Sequence, residues 1–163
     1  MAVQKIISGG QTGVDRAALD AALETGLETG GWCPPGKIAE DGIIPSRYPL
    51  TETPYDRSPY AADIPRSLRT EWNVRDSDGT LIIIQTPEIT DPGTIWAIKC
   101  AKRNKKPHLL VKLPDPEAAA LIRKWILKHQ IRVLNIAGPS EKTSPGIYQA
   151  TKSFLNILKI TKS

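Results

Sequence analysis

Ser8-Gly9-Gly10-Gln11-Thr12-Gly13-Val14-Asp15 stands between a short apolar run, Lys5-Ile6-Ile7, and an alanine-rich stretch with helical spacing. The run reads as the end of a buried strand. From Thr12 onward Val14, Ala18, Ala21 and Ala22 fall on one helix face, and Gly26 is the stop. A strand, a glycine-rich turn and a helix start follow one another directly, which is where an α/β protein sets an anion on backbone amides. Gly9, Gly10 and Gly13 remove the Cβ atoms that would hold a phosphate off the main chain. The first-turn N–H groups and the helix dipole favour negative charge there. Thr12 and Asp15 also have the spacing of a capping box, which needs no ligand but does not call for three glycines. The stretch is neither GxGxxG nor a Walker loop, which ends in Gly-Lys-Ser/Thr, so ATP hydrolysis is disfavoured.

Outward from this turn, Thr29 to Trp32 reads as a second strand. Cys33 to about Pro59 is a long connection rich in proline and glycine. Its Lys37, Arg47, Tyr48, Tyr55 and Arg57 argue for an ordered loop held against a surface. A helix is expected over Ala61 to Arg75, followed by the turn Asp76-Ser77-Asp78-Gly79. Leu81-Ile82-Ile83-Ile84 has no polar alternation, as a parallel strand covered on both faces requires. Asp115-Pro116 and Ser144-Pro145 each look like a cap followed by proline at the first helical position. The first precedes a stripe of Ala118, Leu121, Ile122, Trp125 and His129; the second precedes Ile147, Ala150, Thr151, Phe154 and Leu158. Strands are expected over His108 to Leu113 and Arg132 to Ile136. Alternating strands and helices give an α/β fold: a Rossmann-like open, mostly parallel sheet of about five strands with helices on both faces.

The 163 residues, 40% of them hydrophobic, suit a single domain with one core, residues 1–163, carrying the long loop at about 33–59. Lys and Arg number 22 against 17 Asp and Glu, a net charge of +5 that favours small anionic partners over the density of a nucleic-acid protein. Cys33 and Cys100 show no CxxC spacing, so neither a zinc site nor a disulfide framework is expected and a reducing compartment is. No leader and no membrane-length apolar run is read, which points to a cytoplasmic protein.

In such sheets ligands bind beyond the carboxyl ends of the strands, near the first strand. Three loops leave from that edge: Ser8 to Thr12, Gln85 to Thr94, and Ala137 to Glu141. Gly93-Thr94 offers further helix-start amides. Arg69, Trp72 and Asn73 lie within one helical turn, where an arginine could clamp an oxyanion and a tryptophan could stack on a heterocycle or simply pack. Asp76-Ser77-Asp78-Gly79 is better read as a turn than as a metal site. The run Lys102-Arg103-Asn104-Lys105-Lys106 offsets a helix dipole. Neither His108 nor His129 has a partner at catalytic spacing, and Ser8, Cys33 and Ser140 have no evident base. No catalytic constellation emerges.

SGGQTGVDRAALDAA, GGWCPPGKIAEDG, NVRDSDGTLI and AGPSEKTSPGI, in that order and over nearly the whole chain, resemble the molybdenum cofactor carrier proteins. These are small Rossmann-like proteins of the lonely-guy and DNA-processing superfamily. The resemblance implies a non-catalytic, homotetrameric binder of the molybdenum cofactor, a phosphorylated pterin whose dithiolene sulfurs hold the metal, so that no protein metal ligand is needed. Molybdoenzymes or cofactor-biosynthesis proteins are the partners it implies. Gly9, Gly10, Gln11, Thr12, Asp15 and Arg16 carry over from the first motif, with Gly13 beside them, and Lys37 matches a basic position in the second. The glycine loop would hold one anionic end, while Thr86, Gly93, Thr94 and the Ser140 loop approach the other; Arg69 and Asn73 complete the candidate set. The related phosphoribohydrolases carry PGGxGTxxE, whereas here Asp91-Pro92-Gly93-Thr94 is followed by Ile95-Trp96 without the catalytic glutamate. A nucleotide-processing enzyme and a single-stranded DNA binder remain the competing expectations.

Overall fold

The computed structural model describes residues 3–160. Its centre is a five-stranded, all-parallel sheet in the order β2-β1-β9-β7-β8, formed by β1 (Lys5–Ile7), β2 (Glu28–Gly30), β7 (Gly79–Ile84), β8 (His108–Lys112) and β9 (Val133–Ala137). Five helices flank it: α1 (Val14–Glu24), α2 (Ser67–Arg75), α3 (Pro92–Arg103), α4 (Ala118–His129) and α5 (Ile147–Leu158). The architecture is Rossmann-like, as the alternating pattern implies.

Strand alternation divides the sheet into two faces. Ile6, Leu81, Ile83, Leu134 and Ile136 share one buried cluster with Ala18 of α1, Ile122 of α4 and Leu155 of α5. On the other side Val74 of α2 packs with Trp96, Cys100 and Ala101 of α3. Every residue of β7 is buried, which is why Leu81 to Ile84 carries no polar alternation. A third cluster, Leu19, Cys33, Ala39, Ile44, Tyr48 and Leu50, fastens the long connection onto α1. That connection holds β3 (Trp32–Cys33) paired in parallel with β6 (Thr51–Glu52), and the antiparallel hairpin β4 (Ile38–Ala39) and β5 (Gly42–Ile43).

Several local expectations are corrected. The strand over Thr29 to Trp32 is cut in two at Gly31, whose φ of +130° turns the chain away and whose missing Cβ lets it pass the Ser8 main chain. The helix over Ala61 to Arg75 forms only from Ser67, because Pro65 disfavours helical geometry at Ile64 and Arg66 is left-handed at φ 60°. Neither proline device caps as expected. α4 begins at Ala118, where the Asp115 carboxylate takes the Glu117 amide at 2.9 Å; before α5, Glu141 takes the amides of Gly146 and Tyr148. The α4 stripe is Ala118, Ile122, Trp125 and Ile126, with Leu121 47% exposed; in α5, Leu155 replaces Phe154 at full burial.

Candidate functional site

A cleft of about 330 Å³ opens at the carboxyl edge of β1, β9 and β7 and is walled on the far side by α2 and the start of α3. The connections there are short and the residues small: Gly9 after β1, Gly138 after β9 and Ala97 in α3 leave the room. Asp15, Asn73, Thr94 and Asn135 are buried polar residues of its wall, while Pro65, Pro92 and Thr143 are exposed at the mouth.

Asp15 is held from two sides. Its Oδ2 accepts from the Gln11 amide at 3.3 Å and from Arg69 Nη1 at 2.9 Å. Burial pushes the carboxyl above its ordinary value, and the Arg69 charge opposes this. Arg69 comes from α2 and lies directly over Gly9, where any Cβ would collide with the guanidinium. A side chain at position 9 would therefore have to push the arginine off Asp15.

The amides of the first loop are largely committed internally. Thr12 N–H donates to the Gln11 side chain, Val14 N–H to the Pro139 carbonyl and Arg16 N–H to the Gln11 carbonyl. Gly13, at φ +82°, is the helix cap, and a Cβ there would lie 2.5 Å from the Pro139 oxygen. The expected Thr12–Asp15 capping box does not form. Asp15 reaches back to Gln11, while the Thr12 hydroxyl donates to Glu40 and accepts from the Glu141 amide. At α3 the Thr94 amide and hydroxyl are both taken by Asp91 Oδ2, at 2.9 and 2.6 Å. Among the described residues the amides of Gly9 and Gly93 have no acceptor. The Asp91 Oδ1 atom is buried without a partner.

Glu40, at the tip of the β4–β5 hairpin, closes one side of the cleft. Its carboxylate accepts from Thr12 at 2.7 Å and Ser140 at 2.6 Å, and its amide donates to Gln11. Burial works against ionisation, but the bonds from Ser140 and Thr12 outweigh it and hold the carboxyl low. Next to it, Asp41 makes a two-pronged pair with Arg16, at 2.6 and 3.0 Å. A wider concavity of about 760 Å³ lies on the other side of Glu40, where the hydroxyls of Tyr48 and Tyr148 donate to the two oxygens of Asp20, at 2.7 and 2.5 Å.

Of the residues named from sequence, Gly9, Gln11, Asp15, Arg69, Asn73, Gly93, Thr94 and Ser140 line the cleft. Thr12, Gly13 and Arg16 line the second concavity, and Gly10 is backed by Leu50 and Ile44. Lys37 ends the short turn Pro35–Lys37, and Thr86 bonds the Glu88 carbonyl; neither lines either cavity. Asn73 is spent on the main chain of Trp32, which it bonds through both side-chain atoms at 2.8 and 3.0 Å. Trp72 packs edge-on against Trp32, with Arg75 stacked over it. Sequence reasoning missed Glu40, Arg66 and Asn135. Asn135 had a signal, a lone amide inside Val133-Leu134-Asn135-Ile136, where an apolar residue is the norm. Arg66 had none: its position comes from the break at Pro65. Its guanidinium makes no hydrogen bond or ion pair among the described residues.

Fold and cleft together define a Rossmann-like protein with an open cleft at the carboxyl edge of its first strand. The sequence profile of the circularly permutated YpsA SLOG family matches residues 6–158, and the chain belongs to that family. It is also similar to a protein of Syntrophus aciditrophicus whose crystal structure is described as that of a "Putative molybdenum carrier protein". The two are 46% identical, the match covers 97% of this chain and 96% of the other, and the TM-score is 0.87. No curated protein matches the chain significantly.

Proposed function

We propose that the protein binds the molybdenum cofactor and stores or transports it without turning it over. The observation that carries this reading is the one cleft in which Arg66 and the Gly9 and Gly93 amides are uncommitted donors while each carboxylate is already bonded: Asp15 to Arg69, Glu40 to Thr12 and Ser140, Asp91 to Thr94. Free donors suit an anionic ligand, and acids locked in hydrogen bonds are poorly placed to move protons. The likeness to the Syntrophus protein, described as a molybdenum carrier, supports the choice of cargo. The cofactor's own sulfurs hold its metal, so the protein needs only to recognise the pterin and phosphate and to limit water. Among the described residues no helix is long and apolar enough to cross a membrane, which is compatible with a cytoplasmic carrier. A homotetramer delivering to molybdoenzymes or to cofactor-biosynthesis proteins completes the proposal.

The test is native mass spectrometry of the protein expressed in cells that make the cofactor, which gives ligand mass and oligomeric state together. A retained metal-pterin is expected. A nucleotide in its place, or ribose release from nucleoside monophosphates, would overturn the reading in favour of an enzyme. Binding of single-stranded DNA that falls steeply with salt would favour the nucleic-acid alternative.

A further inference from the structure

Asn135 is the anomaly of the sheet. It sits in the middle strand, 3% exposed, with main-chain partners on both sides, Ile7 in β1 and Thr80 in β7. Its contribution to the cleft wall is therefore its side chain. Alternation places that side chain opposite Leu134 and Ile136, on the face toward α2 and α3. Its Nδ2 donates to the buried hydroxyl of Thr80 at 3.2 Å, which fixes the amide's orientation. The Oδ1 atom has no donor among the described residues. An amide oxygen of a largely buried residue in the cleft wall, oriented by Thr80, unpaired and still open to the cleft, can take a donor from whatever enters.

We infer that Asn135 accepts a hydrogen bond from a ring N–H or amino group of the ligand, so that the heterocycle enters first and the anionic end remains at the mouth beside Arg66. The inference rests on the carrier reading for the identity of the ring. The chemistry of the cofactor allows only this direction. Phosphate oxygens, metal oxo groups and dithiolene sulfurs are acceptors and cannot satisfy another acceptor, whereas the pterin edge carries N–H and amino donors. Arg66, by contrast, stands at the partly exposed rim beside Pro65; the Glu40 carboxylate feels its charge, but its guanidinium makes no hydrogen bond or ion pair among the described residues and can take an anion.

Three probes test this by fluorescence or calorimetric titration: pterin itself, which has the ring and neither the dithiolene nor the phosphate; inorganic phosphate; and the intact cofactor handled anaerobically. The variants are Asn135→Leu, Asn135→Asp, which keeps an acceptor that Thr80 can still hold, and Arg66→Ala. Asn135→Leu is expected to weaken pterin about tenfold or more, and Asn135→Asp to restore most of it. Arg66→Ala is expected to weaken phosphate and the intact cofactor and to leave pterin nearly unchanged. Far-ultraviolet circular dichroism and the melting temperature establish that each variant is folded. Equal pterin affinity in wild type and Asn135→Leu, or no pterin binding by wild type, overturns the inference. If the intact cofactor still binds in either case, the carrier reading stands. If wild type binds pterin but not the intact cofactor, the carrier reading falls instead. Should Asn135→Leu fail to fold, equal loss of pterin in Asn135→Asp and in Arg66→Ala overturns the orientation.

Discussion

Arg69 Nη1 stands 2.9 Å from Asp15 Oδ2, its side chain laid across the bare backbone of Gly9, so that a helix on one face of the sheet is tied to the helix start on the other. The pair is mostly buried, with side-chain exposures of 13% and 8%. Removing only the cation strands a buried carboxylate, and Arg69→Met is expected to cost about 3 kcal/mol in urea unfolding at neutral pH. The loss should depend on pH in a defined direction. Asp15 already titrates above its ordinary value because of burial, and without Arg69 it titrates higher still. A group with a raised folded pKa stabilises at low pH and loses that contribution as pH rises through it, so the deficit of the variant should be largest at high pH and shrink as the pH is lowered. A deficit independent of pH would mean that Asp15 is not the group left unpaired.

Gly31 and Gly26 separate strain from collision. Both have positive φ, +130° and +73°, but a Cβ at Gly31 runs into the Ser8 main chain while one at Gly26 meets open space. Gly26→Ala is expected to cost about 1 kcal/mol, the price of left-handed backbone alone. Gly31→Ala should cost about 2 kcal/mol or more, since the β1 to α1 turn must move as well. Equal melting temperatures for the two variants would contradict the close approach.

The β4–β5 hairpin is held to the cleft by two carboxylates whose pKa values are depressed. For Asp41 the cause is the Arg16 hydrogen bond; for Glu40, bonds from Ser140 and Thr12 overcome burial. Groups depressed in this way stabilise fully above their unfolded values, 3.8 and 4.5, and lose the contribution as pH falls through the folded ones. Hydrogen exchange of the hairpin amides should therefore be held down by the full clasp at neutral pH and rise, relative to the strand amides, below about pH 4. Glu40→Gln should produce the loosening already at neutral pH. Hairpin protection that tracks the central strands at every pH would show that the clasp does not govern it.

Both cysteines are buried at 0% exposure. Burial pushes the Cys100 thiol up to about 12, with Glu71 adding to it, and raises Cys33 through burial first and then Glu52. Alkylation at neutral pH is expected to need unfolding, so iodoacetamide labelling should follow the unfolded fraction in urea. Fast labelling of either cysteine in the folded protein would place that thiol in an open position.

The parallel sheet was legible because its causes are local: an all-apolar β7, alanine spacing in α1, and glycine and proline at the ends of elements. The site was legible only where local chemistry places it. Gly9, Asp15, Ser140 and Thr94 follow from loops that leave one sheet edge, and they do line one cleft. What could not be read is how neighbours would spend those groups. Thr12 and Arg16 are consumed by Glu40 and Asp41, which lie 28 and 25 residues away. The capping-box spacing of Thr12 and Asp15 gave no hint that a hairpin tip would take the threonine. Arg66 is in place because Pro65 halts a helix that the pattern alone would have begun at Ala61.

The strand that carries Asn135 is the last of the described chain, yet it lies in the middle of the sheet. Until Val133 to Ala137 has been made, β1 with β2 and β7 with β8 are two separate ribbons, whose β1 and β7 sides, paired in the finished sheet, are still open. On a ribosome, the cleft therefore has walls before it has a floor. Ligand binding and completion of the sheet arrive in one late, long-range step, so a nascent chain truncated before β9 should be a client for chaperones and blind to its cargo.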